Sequence, residues 1–214
     1  MNYDNTNLPD KLKKYMEEIT SNSELLDAFF DCDVEIYDEA WVKDLENDDS
    51  WLEDLMGPGI SSYNDMKPFA RDGSGALWVV INDEMIGYIG TEGECGIVAK
   101  TIDDFMNIIA FGQYYSDYYN VSTLQSEKAF LKNVGEAVGG EHAEVLGKFM
   151  AEHGFSCERS ELYRKLINGL TVRPFLEIKA TDDDYCDSYS LLGSDDGQAA
   201  LVHLIELLKI QYDG

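Results

Sequence analysis

The chain has 214 residues, 44% of them hydrophobic, which is enough for one substantial core. Its 16 Lys and Arg stand against 42 Asp and Glu, a formal net charge of −26, so its field repels nucleic acid and anionic membranes and attracts basic surfaces. Net charge speaks to association and solubility and not to fold, so an acidic coat serving solubility alone is the competing reading.

Lys11, Lys13, Lys14, Glu17 and Glu18 stand where a signal peptide would need an apolar run, and no later apolar run approaches the ~18 residues of a membrane span. The expected location is the cytoplasm. Cys32, Cys95, Cys157 and Cys186 are scattered and form no CxxC pair, which predicts free, mostly buried thiols with neither disulfide framework nor structural zinc.

In chain order, Leu8-Pro9-Asp10 opens a first helix, with Leu12, Tyr15, Met16 and Ile19 as its apolar stripe. A second helix from Glu24 to Phe30 should bury Leu25, Leu26, Phe29 and Phe30. Asp31 to Asp54 alternates acidic residues with Trp41, Leu45, Trp51 and Leu52, and reads as one or two amphipathic helices with an acidic outer face. Gly57-Pro58-Gly59 is a firm break, and Ile60–Met66 crosses as a strand or extended segment.

From Lys67 to Gly112 turn, strand and helix signals follow one another without conflict. Ala76–Ile81 is an apolar run between turns, Met85–Ile89 the returning strand, Gly90–Gly96 a glycine-rich turn and Gly96–Ala99 a third strand. Thr101 with Asp104 resembles a capping box, and Ile102, Phe105, Met106 and Ile109 share one helical face. Tyr114, Tyr115, Tyr118 and Tyr119 then form a tyrosine face that either packs beneath a neighbouring helix or offers a partner-binding surface. Helices follow at Leu124–Val138, Glu141–His153 and Cys157–Asn168. A strand is expected over Arg173–Ala180, an acidic loop over Thr181–Gly197, and a last helix over Gln198–Ile210.

Few candidate chemistries survive a spacing test. His142 and His153 would lie about 16 Å apart along a helix, too far to share a metal ion, and are expected in surface or interhelical hydrogen bonds. His203 reads as a satisfied core histidine. Asp182-x-Asp184 begins like a calcium loop but carries Asp187 where the turn needs glycine and Gly193 where a bidentate glutamate belongs; Asp31-x-Asp33-x-Glu35 fails likewise. Gly73-Ser74-Gly75 lacks the lysine of a phosphate loop and precedes a strand, so turn construction is the better account. There is no Gly-x-Ser-x-Gly elbow. Neither metal nor cofactor is expected.

Phe69-Ala70-x-Asp72-Gly73-Ser74-Gly75, the strand with Trp78, the second strand, the Gly/Glu turn and Val98-Ala99-x-Thr101-x-x-x-Phe105 together resemble the core of the SUKH superfamily. That superfamily includes fungal cell-wall-synthesis regulators and bacterial immunity proteins that neutralise polymorphic toxins, nucleases prominent among them. The resemblance implies an α+β fold with a mixed or mainly antiparallel sheet flanked by helices, as the order of strands and helix also suggests. On this reading residues 1–116 form the core, and 117–214 form a mostly helical extension packed on it, or one continuous domain with it. The implied function is non-enzymatic: an immunity-type inhibitor that binds a basic toxin domain stoichiometrically.

The partner-binding candidates are Asp31, Asp33, Glu35, Asp38 and Glu39 before the core, Glu92 and Glu94 on the central turn, Asp182, Asp183, Asp184 and Asp187 in the late loop, and the four tyrosines 114, 115, 118 and 119. Each carboxylate has a solvated-face reading beside the functional one. The alternatives are a regulatory adaptor in cell-wall or stress signalling, and a hydrolase or metal-dependent enzyme assembled from residues distant in sequence.

Overall fold

The computed structural model describes residues 8–36, 50–112, 118–135 and 141–192, together with 202 and 206. Of the last helix expected over 198–210 only 202 and 206 are described, both helical; His203, Asp38, Glu39, Tyr114 and Tyr115 lie outside the described residues. No described helix is long and apolar enough to cross a membrane.

The elements in order are α1 (Asp10–Ser21), α2 (Ser23–Phe30), β1 (Glu35–Ile36), α3 (Trp51–Met56), β2 (Gly59–Ser61), β3 (Met66–Arg71), β4 (Leu77–Ile81), β5 (Met85–Ile89), β6 (Glu94–Ala99), α4 (Ile102–Ala110), α5 (Val121–Leu124), α6 (Glu127–Asn133), α7 (Ala143–His153), α8 (Arg159–Leu170), β7 (Ile178–Ala180) and β8 (Tyr189–Ser190). The fold is α+β. Its main sheet has the order β1-β3-β4-β5-β6-β8, antiparallel throughout except for the parallel pair β6–β8. A separate antiparallel ribbon joins β2 to β7.

Local sequence chemistry explains most boundaries. Asn22 caps α2 by accepting from the amides of Glu24 and Leu25, and Thr101 caps α4 by accepting from that of Asp104. Ser126 caps α6 by accepting from the Ala129 amide, so the helix expected from Leu124 starts at Glu127, and the short α5 that ends at Leu124 precedes it. The turn between β3 and β4 is organised by the buried carboxylate of Asp72. Its Oδ1 accepts from the Ser74 amide (2.8 Å), the Ser74 hydroxyl (2.7 Å) and the Ala76 amide (3.0 Å), and its Oδ2 from the Tyr88 phenol (2.6 Å). Glycines 73 and 75 therefore belong to turn construction, as their spacing suggested.

The central strands are buried on both faces, and the two-residue alternation of a strand divides their side chains between two cores. Trp78, Val80, Ile86, Tyr88 and Val98 face a helical layer made by α1, α2, α4 and α6–α8. Trp78 donates its indole N–H to the Asp33 carbonyl at 2.9 Å and meets Tyr88 edge-on, centroids 5.0 Å apart. Leu77, Val79, Ile81, Ile89, Cys95 and Ile97 face the other way, under Leu176, Ile178 and Tyr63, with Trp51, Leu52 and Met56 packed around them. The helical core contains residues from both Leu8–Ile109 and Tyr118–Leu170, so the two halves of the chain share it. Helix α8 lies directly on β6, and Gly169 makes that approach possible: a Cβ there would stand 2.4 Å from the Val98 carbonyl oxygen.

Several expectations are corrected. Phe30 is 55% exposed, because α2 turns Leu25, Ala28 and Phe29 inward and leaves Phe30 on the outer side. Of the segment 31–54, residues 37–49, with Trp41 and Leu45, lie outside the described residues; the rest holds the short strand β1 paired with β3 and the start of α3 at Trp51. The third strand begins at Glu94, not Gly96, and the strand expected over Arg173–Ala180 is regular only from Ile178. The acidic loop contains β8, whose register on Glu94 and Cys95 closes the far edge of the described sheet.

Candidate functional site: an acidic groove

The second layer does not cover the sheet completely. Between α3, the Gly90–Gly93 turn, β6 and the 175–191 segment lies a groove of about 880 Å³. Its floor is apolar, made by Cys95 and Ile97 of β6 with Leu176 and Ile178, and Leu55 and Met56 of α3 form one wall. Helix α3 ends at Gly57, whose φ of 76° is open to glycine and strained for other residues, and the ring of Tyr185 lies against it: a Cβ there would meet the ring at 2.1 Å.

The opposite wall is tied down by hydrogen bonds along the chain. The Ser188 amide donates to the Ile178 carbonyl (2.8 Å), the Ile178 amide to the Ser188 hydroxyl (2.7 Å), and the Ala180 amide to Asp187 Oδ1 (2.9 Å). The Tyr189 amide donates to the Gly93 carbonyl at 2.9 Å, joining this wall to the central turn. Below it, Tyr63 and Ser62 donate their hydroxyls to the carbonyls of Pro174 and Phe175 at 2.6 and 2.7 Å.

Five described lining residues are acidic, Glu53, Asp54, Glu92, Glu177 and Asp187, and one is basic, Lys179. Glu53, Asp54, Glu92 and Asp187 are exposed at the rim. The negative field reaches the phenol of Tyr189, whose pKa is raised by burial first, then by the charges of Glu94 and Glu92 and a hydrogen bond to Glu94. Glu94 folds back over Gly90, and its buried Oε2 has no hydrogen-bond partner among the described residues. The Cys95 thiol in the floor donates to the Leu176 carbonyl at 3.2 Å, and burial pushes its pKa up to about 11, so it stays protonated and is a poor nucleophile.

The structure sorts the sequence candidates into separate places. Glu92 and Asp187 line the groove, Glu94 turns its carboxylate over Gly90 instead, and the exposed Asp182, Asp183 and Asp184 lie in the turn beside the groove, where Asp182 accepts from the Asp184 amide at 3.0 Å. Asp31, Asp33 and Glu35 sit at the opposite edge of the sheet with β1. Glu35 is held there by Arg71 at 2.6 and 3.0 Å, and that hydrogen bond keeps its carboxyl below the usual carboxylate range.

Tyr118 and Tyr119 are core residues, 0% and 9% exposed. Tyr118 packs near Phe130, and the Tyr119 hydroxyl reaches the Val98 carbonyl at 3.5 Å. They pack in the helical core instead of on a partner surface, with Phe130 of α6 between Tyr118 and Tyr163 of α8. Sequence reasoning missed Glu177 and Tyr189, and took Glu53 and Asp54 only as part of an acidic helical face. The signal available was the acidic i, i+1 pair ahead of Gly57.

His142 and His153 take the interhelical hydrogen bonds that their spacing suggested. His142 Nε2 lies 2.8 Å from Asp31, and His153 Nε2 lies 2.9 and 3.0 Å from the two oxygens of Glu18, so each links α7 to the α1–α2 pair. Among the described residues no group of three or more His, Cys, Asp or Glu could hold a metal ion. Compared with family models, curated proteins and solved structures, the chain matches none.

Proposed function

We propose that this chain is a non-enzymatic protein-binding module of the immunity type, which neutralises a basic toxin domain, a nuclease being the leading candidate, by stoichiometric binding through its acidic surface. The observation that carries the reading is the groove: five carboxylates and one lysine around an apolar floor, on a chain of net charge −26. A charged rim around an apolar centre is the anatomy of a protein interface, and a strong field of one sign speeds encounter with a partner of the other. The resemblance of residues 69–105 to the SUKH core supports the same class, because immunity proteins are prominent in that superfamily.

The test is capture of the tagged chain from its native cells under conditions that induce toxin expression. The expected result is a one-to-one complex with a basic domain that is toxic when expressed alone, harmless when co-expressed with this chain, and slower to associate as salt is added. Recovery of signalling or wall-synthesis proteins with no toxic partner would overturn the reading.

A further inference from the structure

We infer that the groove is the docking site for an extended basic segment of a partner protein, with Arg or Lys side chains on the rim and an apolar side chain on the Cys95–Ile97–Leu176–Ile178 floor. This deepens the protein-binding reading and rests on it. Three features select the occupant. First, the rim carboxylates belong to separate elements, Glu53 and Asp54 to α3, Glu92 to the central turn and Asp187 to the late loop. They do not converge into an ion-coordinating group. Charges distributed along a trough suit a row of cations carried on one chain and not a single metal ion.

Second, the floor is apolar and continuous with the smaller core, and the half-buried Leu55 and Met56 and the exposed ring of Tyr185 stand over it, so a side chain entering between them leaves water for apolar surface. A purely polar polycation would leave that contact unused. Third, the sign is consistent: Lys179 is the one described basic residue among the lining side chains, and it is the exposed central residue of β7. An acidic or neutral segment would bring like charges, or none, against Glu53, Asp54 and Glu92.

The experiment uses the full chain and three synthetic peptides as probes: one alternating Arg and Leu, one alternating Arg and Ser, and one alternating Glu and Leu. Binding is read by titration calorimetry and by NMR shifts of backbone amides. The Arg/Leu peptide should bind with shifts concentrated at Met56, Glu92 and Tyr185, the Arg/Ser peptide about tenfold more weakly, and the Glu/Leu peptide not at all.

Glu53→Lys with Glu92→Lys should weaken the Arg/Leu peptide by about tenfold or more, whereas Glu144→Lys with Glu152→Lys, the same charge change on exposed sites of α7, should leave it within about twofold. Equal losses in the two double variants, or shifts in the wild-type chain away from the groove, would overturn the inference. The wild-type shift map decides the location even if a variant folds poorly. A toxin partner that binds the groove variant as well as the wild type would refute the groove while leaving the immunity reading intact. Peptide docking in the groove without a toxic partner would refute the immunity reading alone.

Discussion

Replacing Asp72 with alanine removes the acceptor for four hydrogen bonds at the β3–β4 turn at once. Two come from Ser74, one from the buried Ala76 amide, and one from the Tyr88 phenol across on β5. Hydrogen bonds to a charged group contribute roughly 1.5–3 kcal/mol each, but the exposed end of this turn can be resolvated by water and the bonds share one carboxylate, so they do not add. We expect a loss of about 3–5 kcal/mol, a large part of a typical domain stability of about 5–15 kcal/mol. Tyr88→Phe removes one of the four and should cost about 1.5 kcal/mol. In the double variant the cost should fall short of the sum by about 1 kcal/mol, because the second change removes a bond already lost. Urea unfolding followed by far-UV circular dichroism measures all three. A cost below about 1 kcal/mol for Asp72→Ala would refute the claim that this carboxylate holds the turn.

Gly169→Ala should destabilise by about 1–3 kcal/mol in the same assay, because the added methyl meets the Val98 backbone and not a yielding side chain. Thiol titration of the native protein should modify the exposed Cys157 and Cys186 rapidly. It should leave Cys32 and Cys95 unmodified until unfolding, since both are buried and burial raises their pKa, to about 12 and about 11. The Glu35–Arg71 pair should contribute on the order of 0.5 kcal/mol at neutral pH, its partners being more than a third exposed. Because the folded pKa of Glu35 is lowered, this contribution is present above the unfolded value of about 4.3 and disappears as pH falls through the folded value. Stability differences between wild type and Glu35→Gln at pH 7 and in acid, with the gap closing in acid, check it.

The parts of the fold legible in the sequence are those whose signals are local. The stripe Leu12, Tyr15, Met16, Ile19 is buried on α1, Thr101 caps α4, and Met85–Ile89 is the strand its pattern predicts. Two-residue strands such as β1 and β8 carry no measurable period, so nothing in Glu35-Ile36 or Tyr189-Ser190 marks them, and their pairing partners are distant in the chain. Tyr118 and Tyr119 have the composition of an interface but are buried, because composition cannot say whether a neighbouring helix arrives to cover them. The groove is legible only in pieces. Glu92 and Asp187 stand out as charged loop residues, but what brings them to one rim with Glu53 and Glu177 is the ribbon β2–β7, which no local pattern encodes.

That ribbon also bears on the order in which the molecule opens. Strands β3 to β6 each pair with the next along the chain, whereas the ribbon joins segments whose contacts, such as that between Ser62 and Glu177, lie 115 residues apart. Loop closure makes such pairings late to form, and a ribbon three residues wide offers few bonds to hold them. We expect the amides of Ile178 and Ser188 to exchange with deuterium through a smaller opening than those of Val79 or Ile86, so that the groove's wall is a separately melting unit. A segment seated in the groove would then be detected first as slowed exchange in that wall, before any change in the unfolding of the whole chain.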